Sequence, residues 1–574
     1  MKTDEYTTGW LRWLMVALLL CAKCFVFDAL AEQPAHITWE LTDYLSNAAA
    51  AAIWALPVIF TRRRWPVFVI LLLADVWMIA QLVYFRANHL FLTWHLLSLA
   101  GNMEGFWSSV IPYFTLSLLL IPALTLPALV CFLWPAKRLH GFEALSILLL
   151  SAALSVGGCY AFWRNVRVYI PEDHFTWEWI NPCSIPKALS ADLSEQERMA
   201  TNYIRYRSIL AYPLYMASDA IRTASERNTP EALNEEEQAE LQQLLRPVVP
   251  AHAAQGNLLI LLLESFESWL IDAVDANGHP ICPALHKYIN THPLLYAVDV
   301  ESEIHHGMSG DGQLIVNTGL FPLLQGVACI DYDANTYPNV AHFYPHSAIV
   351  NPCRNVWNQR AITPAYGYRR LIEPDTDYRF AWSDSIVIDK LIETINALPR
   401  PSCVMGITVS GHLPFDSSPD DIPLPDSIPA IIRNYMQTAH FTDQQVGRLL
   451  AWADTASIMQ NSVIAITGDH RIFHAWMNEE IRDYGVRAHL PFGTGQAGCP
   501  FLLIGQNIPS VRIAAASQMD IYPSILEAIG QNDYYWQGFG HSLLDGRAVP
   551  DEKYHMHRQM ADKMIRMNYF AQYE

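Results

Sequence analysis

The sequence is poor in charged residues and has no excess of basic ones. Only 16% of its 574 residues are charged, and 37 Lys and Arg stand against 56 Asp and Glu, which gives a net charge of −19. A chain without a basic surplus does not build the positive field that holds a nucleic acid backbone. The composition therefore argues against a nucleic acid as partner.

Hydrophobic residues, by contrast, reach 52% of the chain. Many of them fall in five long apolar stretches near the N-terminus, at about residues 10–31, 48–60, 65–85, 110–134 and 144–162. A helix that spans a bilayer needs roughly 20 apolar residues, which four of the stretches provide. The second is shorter, but small and mildly polar residues extend it back to Tyr44. We therefore predict a five-helix transmembrane domain over residues 1–166.

The loop charges predict the orientation of these helices. Basic residues at 62–64 and at 137–138 follow the second and fourth stretches, whereas residues 32–43 contain no Lys or Arg. Because cytoplasmic loops retain Lys and Arg, the N-terminus is expected inside and everything after residue 166 outside. Asp75 lies within the third stretch, where a carboxylate could mark a functional pocket between helices.

Residues 167–255 differ from the stretches on either side. Ile185–Arg227 has the pattern of an amphipathic helix, and Pro230–Leu245 that of an acidic helix with a solvated face. We predict a helical linker at the membrane surface, with a globular domain over residues 256–574.

Short apolar runs alternate with helical patterns in this last region. Leu258–Leu263, Val404–Val409, Val463–Thr467 and Phe501–Ile504 are such runs. They are typical of buried strands in a mainly parallel sheet between two layers of helices. In such α/β domains the active site is expected at the carboxyl ends of the strands.

Cysteine gives little direct information on the site. The six cysteines after residue 166 form no CxxC pair. In an extracytoplasmic domain they could form up to three disulfides.

Polar residues follow three of the predicted strands. Glu264 ends the first, Asp469 and His470 end the third, and His412 follows the second. Carboxylate oxygens and imidazole nitrogen are ligands for a divalent cation such as Zn or Mn. The plainer interpretation of each is a helix cap, a turn or a loop histidine.

Ser309 lies in the segment His305–Gly312, just before Gln313–Leu320, an apolar-periodic run that can start a helix. A hydroxyl at a helix start lies beside backbone donors that could hold phosphate, and a bound cation would activate it as a nucleophile. Without the metal ligands, an ordinary N-cap would explain it equally well.

Four ordered motifs resemble the lipoteichoic acid synthase group of the alkaline phosphatase and sulfatase superfamily. They are Leu-Leu-Glu-Ser-Phe-Glu at 262–267, Met-Ser-Gly-Asp-Gly at 308–312, Ser-Gly-His-Leu-Pro-Phe at 410–415 and Thr-Gly-Asp-His at 467–470. The five-span anchor is also similar to the architecture of that group. No Cys-x-Pro-x-Arg motif surrounds Ser309, which argues against a sulfate esterase of the formylglycine type.

The resemblance implies a sulfatase-like catalytic domain and a role for each motif residue. Glu264, Ser309, Asp469 and His470 would bind one divalent ion (Mn, Zn or Mg), and Ser309 would also be the nucleophile. His412 would bind the phosphate or protonate the leaving group. The enzyme would be a multi-pass protein of the bacterial cytoplasmic membrane with its catalytic domain on the outer side.

Two departures concern the head-group motif and the nucleophile. The synthases usually have Thr where this chain has Ser309, and an Arg closely follows the motif Trp, whereas here Gln359 takes that position and Arg360 comes one residue later. Trp357 and Arg360 are the corresponding candidates for substrate binding. His474 and His489 could complete a second metal site, or be surface histidines.

Three hypotheses follow. The first is a phosphotransferase that moves phosphoglycerol from phosphatidylglycerol, through a covalent ester on Ser309, to a cell-envelope glycan, polymer or lipid. The second is a transferase of phosphoethanolamine from phosphatidylethanolamine, or a phosphodiesterase, on the same scaffold. The third is a membrane receptor without catalysis.

Overall fold

The computed structural model divides the chain into two compact units. The first comprises residues 1–100 and 107–225, and the second comprises residues 101–106 and 226–574. The structure describes the whole chain except residues 1–7, 32–40, 61–62, 89–90, 95–112, 133–140, 167–173, 184–202, 205–206, 229, 249–253, 377–381, 414, 416–421, 473–478 and 574. The division at residue 225 falls inside the predicted linker, whose boundaries stay a prediction.

The first unit is helical. Its helices are α1 (Thr8–Leu30), α2 (Leu41–Trp54), α3 (Trp65–Asn88), α4 (Leu120–Ala123), α5 (Gly141–Val166), α6 (Trp177–Ile180) and α7 (Tyr212–Asn228). Among the described residues, three segments are long and apolar enough to cross a membrane: Trp10–Leu30, Trp65–Arg86 and Gly141–Arg164. They fit a membrane protein.

The other two predicted spans correspond to shorter apolar helices, at Tyr44–Phe60 and Leu116–Leu129. Proline explains both interruptions, because it cannot donate a backbone hydrogen bond and clashes with the preceding turn. Pro57 lies in the 3₁₀ turn after α2, and Pro122 and Pro127 divide the fourth stretch into short helical pieces. A total of five spans therefore remains a prediction.

A buried ion pair joins α1 to α3. The Lys23 ammonium donates to a carboxylate oxygen of Asp75, to the Ile121 carbonyl and to the Thr125 hydroxyl, 2.9 Å away. Thr125 in turn donates to the second Asp75 oxygen at 2.9 Å. Lys23 is fully buried and Asp75 is 4% exposed. Asp75 is thus a partner of Lys23 within the helix bundle.

The acidic segment of the linker belongs to the second unit and is more buried than predicted. It forms α8 (Glu235–Leu244), which Asn234 and Glu237 begin with a reciprocal capping box. Glu237 and Glu240 are buried, because they pair with Lys563 and with Lys553 and His557. The expected fully solvated acidic face is therefore wrong. The described part of the predicted Ile185–Arg227 helix is mainly α7, and residues 184–202 lie outside the described residues.

Eight strands in the described part of the chain form one sheet. They are β1 (Leu258–Leu263), β2 (Leu295–Glu301), β3 (His346–Val350), β4 (Arg370–Ile372), β5 (Ser402–Ile407), β6 (Val463–Gly468), β7 (Cys499–Ile504) and β8 (Val511–Ser517). Their order is β4-β3-β5-β1-β6-β7-β2-β8. Only β7 runs antiparallel to its neighbours, so the predicted mainly parallel α/β domain is confirmed.

Helices of the second unit alternate with these strands. They are α9 (Pro283–Thr291), α10 (Ser309–Thr318), α11 (Ala328–Asp331), α12 (Gln359–Ala365), α13 (Asp384–Ala397), α14 (Ala430–Thr455), α15 (Glu479–Arg487), α16 (Ile521–Ala528) and α17 (Tyr554–Arg566). Every residue of β1, β5 and β6 is buried, as expected for central strands covered on both faces. These three strands are adjacent and parallel, so their carboxyl ends meet at one edge.

The Lys23–Asp75 pair gives a test of the helix bundle. Asp75→Ala leaves a buried ammonium without its anion, which costs about 3–5 kcal/mol. We expect this variant to unfold at a clearly lower temperature than wild type in detergent. The double variant Lys23→Met, Asp75→Leu removes both charges and should recover most of the loss. Wild-type thermal unfolding of Asp75→Ala would show that the pair does not support the bundle.

Candidate active site and metal centre

Two predicted metal ligands face one another across the central strands. Leu263 at the end of β1 pairs with Gly468 at the end of β6, so the next residues, Glu264 and Asp469, emerge side by side. The ligand atoms of Glu264, Asp469 and His470 all lie within 4.8 Å of one another, and all three residues are buried. The strand register thus brings together the two carboxylates and the imidazole.

The hydrogen bonds of Asp469 leave one of its oxygens free for a ligand. Oδ1 accepts from the backbone N–H of Ser265 at 2.8 Å and of His470 at 2.7 Å. Oδ2 is buried without a hydrogen-bond partner among the described residues. A buried carboxylate oxygen without a partner is costly unless a cation or proton meets it.

The imidazole of His470 is oriented by the chain itself. Its Nδ1 lies 3.0 Å from the Arg471 carbonyl, to which an N–H at that position can donate. Nε2 then faces the carboxylates, 3.6 Å from Glu264 Oε1 and 3.8 Å from Asp469 Oδ2. Such a bond on the far nitrogen is the usual way in which a metal-binding histidine is held. The carboxylates of Glu264 and Asp469, the His470 imidazole and the hydroxyl of the predicted ligand Ser309 form a donor set that suits Zn or Mn.

Charge in this group is strongly coupled. Burial raises the pKa of Asp469, and the Glu264 carboxylate raises it further. Burial acts to lower the pKa of His470, but the carboxylates of Asp469 and Glu264 raise it above its ordinary value. Burial acts to raise the pKa of Glu264, yet the imidazoles of His470 and His412 hold it well below the usual range. Without a metal, the site therefore retains protons that a cation would displace.

Ser309 is the first residue of α10 and joins the same group. Its Oγ donates to Glu264 Oε2 at 3.0 Å and lies 3.4 Å from His470 Nε2. Met308 just before it has a φ of 44°, a conformation that favours glycine. Gly312 allows the helix to approach Asp469, because a Cβ there would lie 2.7 Å from the Asp469 carbonyl oxygen.

Asp311 holds the turn before Ser309, a role that the motif itself did not reveal. Its Oδ2 accepts from the backbone N–H of His305 at 2.8 Å and of Gly307 at 2.9 Å. Burial raises the pKa of Asp311 to about 7, against the lowering effect of these two bonds. The carboxylate thus acts as a template for the backbone that presents Ser309.

Gln518 links the nucleophile segment to the metal ligands, and it too was not identified from the sequence. Its amide donates to the Asp469 carbonyl at 2.6 Å and accepts from the Glu303 N–H at 2.8 Å. The residue is fully buried between β8 and α16. The sequence offered no clear signal for it, since the strand-to-helix junction Ser517–Asp520 contains several polar residues.

His412 lies in the loop after β5, close to Glu264. A Cβ on Gly411 would lie 2.3 Å from the Glu264 carbonyl, so glycine allows the two loops to touch. The His412 Nδ1 lies 2.7 Å from the Leu413 carbonyl. The His412 imidazole contributes to the lowering of the pKa of Glu264.

Trp357 and Arg360 occupy different surroundings. The Trp357 ring packs against the backbone after Ser309, since a Cβ on Gly310 would lie 3.4 Å from its Cε3. Arg360 instead pairs with Glu373, at 2.7 Å from Nε and 2.6 Å from Nη2, and its side chain is 52% exposed. Gln359 is buried and donates to Gln313 of α10.

The remaining metal and cysteine predictions have different outcomes. His489 is exposed after α15, and His474 lies outside the described residues, so a second metal site stays a prediction. The six cysteines after residue 166 are all free thiols, and the disulfides considered from the sequence are not formed. Five of them are buried in separate strands, helices and loops, and Cys183 is exposed.

Metal binding should depend on pH, because the cation must displace protons from the carboxylate and imidazole group. We expect the affinity for Mn²⁺ to rise between pH 6 and pH 8, by up to about tenfold per pH unit for each proton released. Calorimetric titration at each pH, in two buffers of different ionisation enthalpy, measures the Mn²⁺ affinity and the number of protons released. Equal affinity at both pH values, with no proton release, would contradict this charge coupling.

Gln518→Leu should loosen the site, because it leaves the Glu303 N–H and the Asp469 carbonyl buried without partners. Each such group costs about 1–3 kcal/mol. We expect a matching fall in the free energy of unfolding and weaker Mn²⁺ binding. Gln537→Leu, a glutamine in the same domain with bonds only to Gln531 and Tyr534, serves as the control for metal binding. If Gln518→Leu and Gln537→Leu both bind Mn²⁺ like wild type, the Gln518 bridge has no role in metal binding.

Comparison with known proteins gives consistent matches in this domain. Residues 332–531 match the family model described as Sulfatase. The chain is 23% identical over 313 residues to lipoteichoic acid synthase 2 of Bacillus subtilis, across 50% of this chain and 47% of that protein. It is also 23% identical over 314 residues to the lipoteichoic acid synthase of Staphylococcus aureus strain USA300, across 51% and 48%. The chain thus spans about half the length of these curated relatives.

A solved structure resembles nearly the whole chain. It is the integral membrane protein lipooligosaccharide phosphoethanolamine transferase A of Neisseria meningitidis, with a TM-score of 0.54 and 12% identity, covering 92% of this chain and 96% of that one. At this identity the likeness concerns the fold. The family model, the curated relatives and the motifs around Ser309 support the resemblance of this chain to lipoteichoic acid synthase-like members of the alkaline phosphatase and sulfatase superfamily.

Proposed function

We propose that this protein is a membrane-anchored, metal-dependent transferase of a phospholipid head group. The observation that carries the proposal is the Ser309 hydroxyl, which donates to Glu264 at 3.0 Å beside the buried Glu264, Asp469 and His470 group. A hydroxyl at a helix start next to a cation site is suited to attack phosphorus. The relatives named as lipoteichoic acid synthases support the same chemistry.

The reaction takes place in two displacements on phosphorus. Ser309 Oγ attacks the phosphodiester of the donor, and the bond from phosphorus to the diacylglycerol oxygen breaks. Glu264 Oε2, which accepts the Ser309 hydroxyl, would take its proton, and His412 would give a proton to the departing oxygen. An acceptor hydroxyl then attacks the phosphoserine ester and releases Ser309.

Glu264, Ser309, Asp469 and His470 are the residues that would hold one Mn, Zn or Mg ion. When bound, that ion would neutralise charge on the phosphoryl oxygens and favour the Ser309 alkoxide. The unpaired Oδ2 of Asp469 and the orientation of His470 fit such a ligand.

The donor is expected to be phosphatidylglycerol, and the acceptor a glycan, a lipid or another polymer of the cell envelope. The three apolar helices fit an anchor in the cytoplasmic membrane, with the second unit on the outer side. An enzyme held there meets a lipid donor by diffusion in two dimensions.

Phosphatidylethanolamine is the alternative donor. Arg360 is already paired with Glu373, and Gln359 occupies the place where the resemblance leads one to expect Arg. The head-group region therefore lacks the free guanidinium expected for phosphoglycerol at these two positions. The fold shared with a phosphoethanolamine transferase is compatible with this alternative.

Trapping the covalent ester tests both donors together. Purified full-length protein is incubated with Mn²⁺ or Zn²⁺ and vesicles of labelled phosphatidylglycerol or phosphatidylethanolamine, and the Ser309 peptide is weighed by mass spectrometry. We expect a glycerophosphate or phosphoethanolamine adduct. Ser309→Ala should lose the adduct and reduce diacylglycerol release by on the order of a thousandfold or more, as for other removed nucleophiles.

Other outcomes have clear meanings. Diacylglycerol release without an adduct, unaffected by Ser309→Ala, would contradict Ser309 as nucleophile and indicate a phosphodiesterase. If no adduct forms, no diacylglycerol is released and no metal binds, the receptor hypothesis is supported. Ser268→Ala, a buried serine in the same domain that contacts Asp299 and Gly498, is the matched control for loss of a hydroxyl.

A further inference from the structure

The loop between β3 and α12 has a backbone that its residues do not readily adopt. Asn355, Trp357 and Asn358 have φ angles of 48°, 55° and 55°. Asparagine tolerates this left-handed region, but for a bulky residue such as Trp357 it is a genuine outlier. Backbone of this kind persists only where the surroundings hold it, and it is common in ligand-binding loops.

One carboxylate bonds to residues on either side of Trp357. Glu373, just after β4, accepts the Asn355 N–H on Oε2 at 2.8 Å. Its Oε1 accepts from Arg360 Nε at 2.7 Å and Nη2 at 2.6 Å. The Arg360 backbone N–H closes the ring by donating to Asn355 Oδ1 at 3.0 Å.

The other side of the loop is seated against the nucleophile. Asn358 donates to the Cys329 carbonyl at 3.1 Å and to Asp333 Oδ2 at 2.8 Å. Cys329 and Trp357 both press on Gly310, where a Cβ would lie 2.9 Å from the Cys329 Sγ and 3.4 Å from Trp357 Cε3. The strained tryptophan is therefore fixed next to the residue that follows Ser309.

We infer that Glu373 and Arg360 form a clasp whose role is to hold the Trp357 ring beside Ser309, where it contacts the head group of the lipid donor. In this arrangement Glu373 is a positioning residue. Arg360 acts through Glu373 and the loop, because its charge is already met by that carboxylate. This inference rests on the proposed function and adds the means by which the donor is oriented.

A double-mutant cycle tests the clasp in full-length protein with Mn²⁺ and vesicles of phosphatidylglycerol or phosphatidylethanolamine, whichever the wild type cleaves. Diacylglycerol release gives kcat and KM for Glu373→Ala, Arg360→Ala and the double variant. We expect each single change to reduce kcat/KM about tenfold, mainly through KM, and the double to cost no more than either single, since coupled residues are not additive. Combining Trp357→Ala with Glu373→Ala should likewise lower kcat/KM little further than Glu373→Ala alone.

Two further measurements separate positioning from general damage to the fold. Mn²⁺ affinity and the thermal unfolding temperature should stay at the wild-type values in the clasp variants. Arg448→Ala, which breaks an exposed pair with Asp389 elsewhere in the domain, should leave kcat/KM unchanged. If the alanine variants do not fold, Glu373→Gln and Arg360→Lys repeat the cycle with milder changes and the same expected non-additivity.

The inference is overturned if Arg360→Ala is much more damaging than Glu373→Ala and the two effects multiply, because Arg360 would then contact the donor directly. It is also overturned if all clasp variants release diacylglycerol like wild type. A wild-type protein that releases no diacylglycerol and forms no Ser309 adduct overturns the proposed function together with the clasp. If the wild type is active and the effects of Glu373→Ala and Arg360→Ala multiply, only the clasp is overturned and the proposed function stands.

Discussion

Two carboxylates brought together out of water are the constraint on which the site depends. Glu264 and Asp469 emerge at the same level from β1 and β6, both buried, and one Asp469 oxygen has no hydrogen bond from the described part of the chain. Like charges at this distance in a poorly solvated site repel strongly. That repulsion is reduced by the neighbouring His470, by the Ser309 hydroxyl and by a candidate divalent ion. The rest of the second unit keeps these groups in place.

The elements that hold the site act mostly through the backbone. Asp311 accepts from the turn before Ser309, Gln518 joins the Glu303 N–H to the Asp469 carbonyl, and Glu267 accepts from the Ile472 N–H just after His470. Close approaches need glycine at Gly312 and Gly411. Such a frame holds the reactive groups before substrate arrives, which is how enzymes avoid reorganisation during a reaction. It also explains why many residues around the site are buried and polar.

Charge pairing recurs in both units under different conditions. In the helical unit Lys23 and Asp75 are removed from water together, with Thr125 satisfying both. In the second unit Glu237 and Glu240 pair with basic residues of the segment that includes α17. The sequence predicted that α8 has a solvated acidic face, because the basic partners of Glu237 and Glu240 lie more than 300 residues away in the chain. Composition alone does not reveal which charges will be neutralised by distant partners.

The sequence by itself determined the class of the second unit and the identity of its chemical groups. Short buried strands alternating with helices predicted the mainly parallel sheet. Polar residues at strand ends predicted Glu264, Asp469 and His470 as candidate ligands, and the family resemblance added Ser309. The first three lie close together because parallel strands deliver their carboxyl ends to one edge. The sequence analysis predicted five spans from apolar length, and the interruptions at Pro57, Pro122 and Pro127 emerged from the structure.

Only the tertiary structure decided how each group is held. The bridge made by Gln518 joins residues far apart in the chain, and the pairing of Arg360 with Glu373 around the left-handed Trp357 links separate elements. A local pattern records period and residue type, but it does not record which distant carboxylate meets a given cation. The same reason applies to the cysteines, whose compartment permitted disulfides while their separate positions in the fold left them as free thiols.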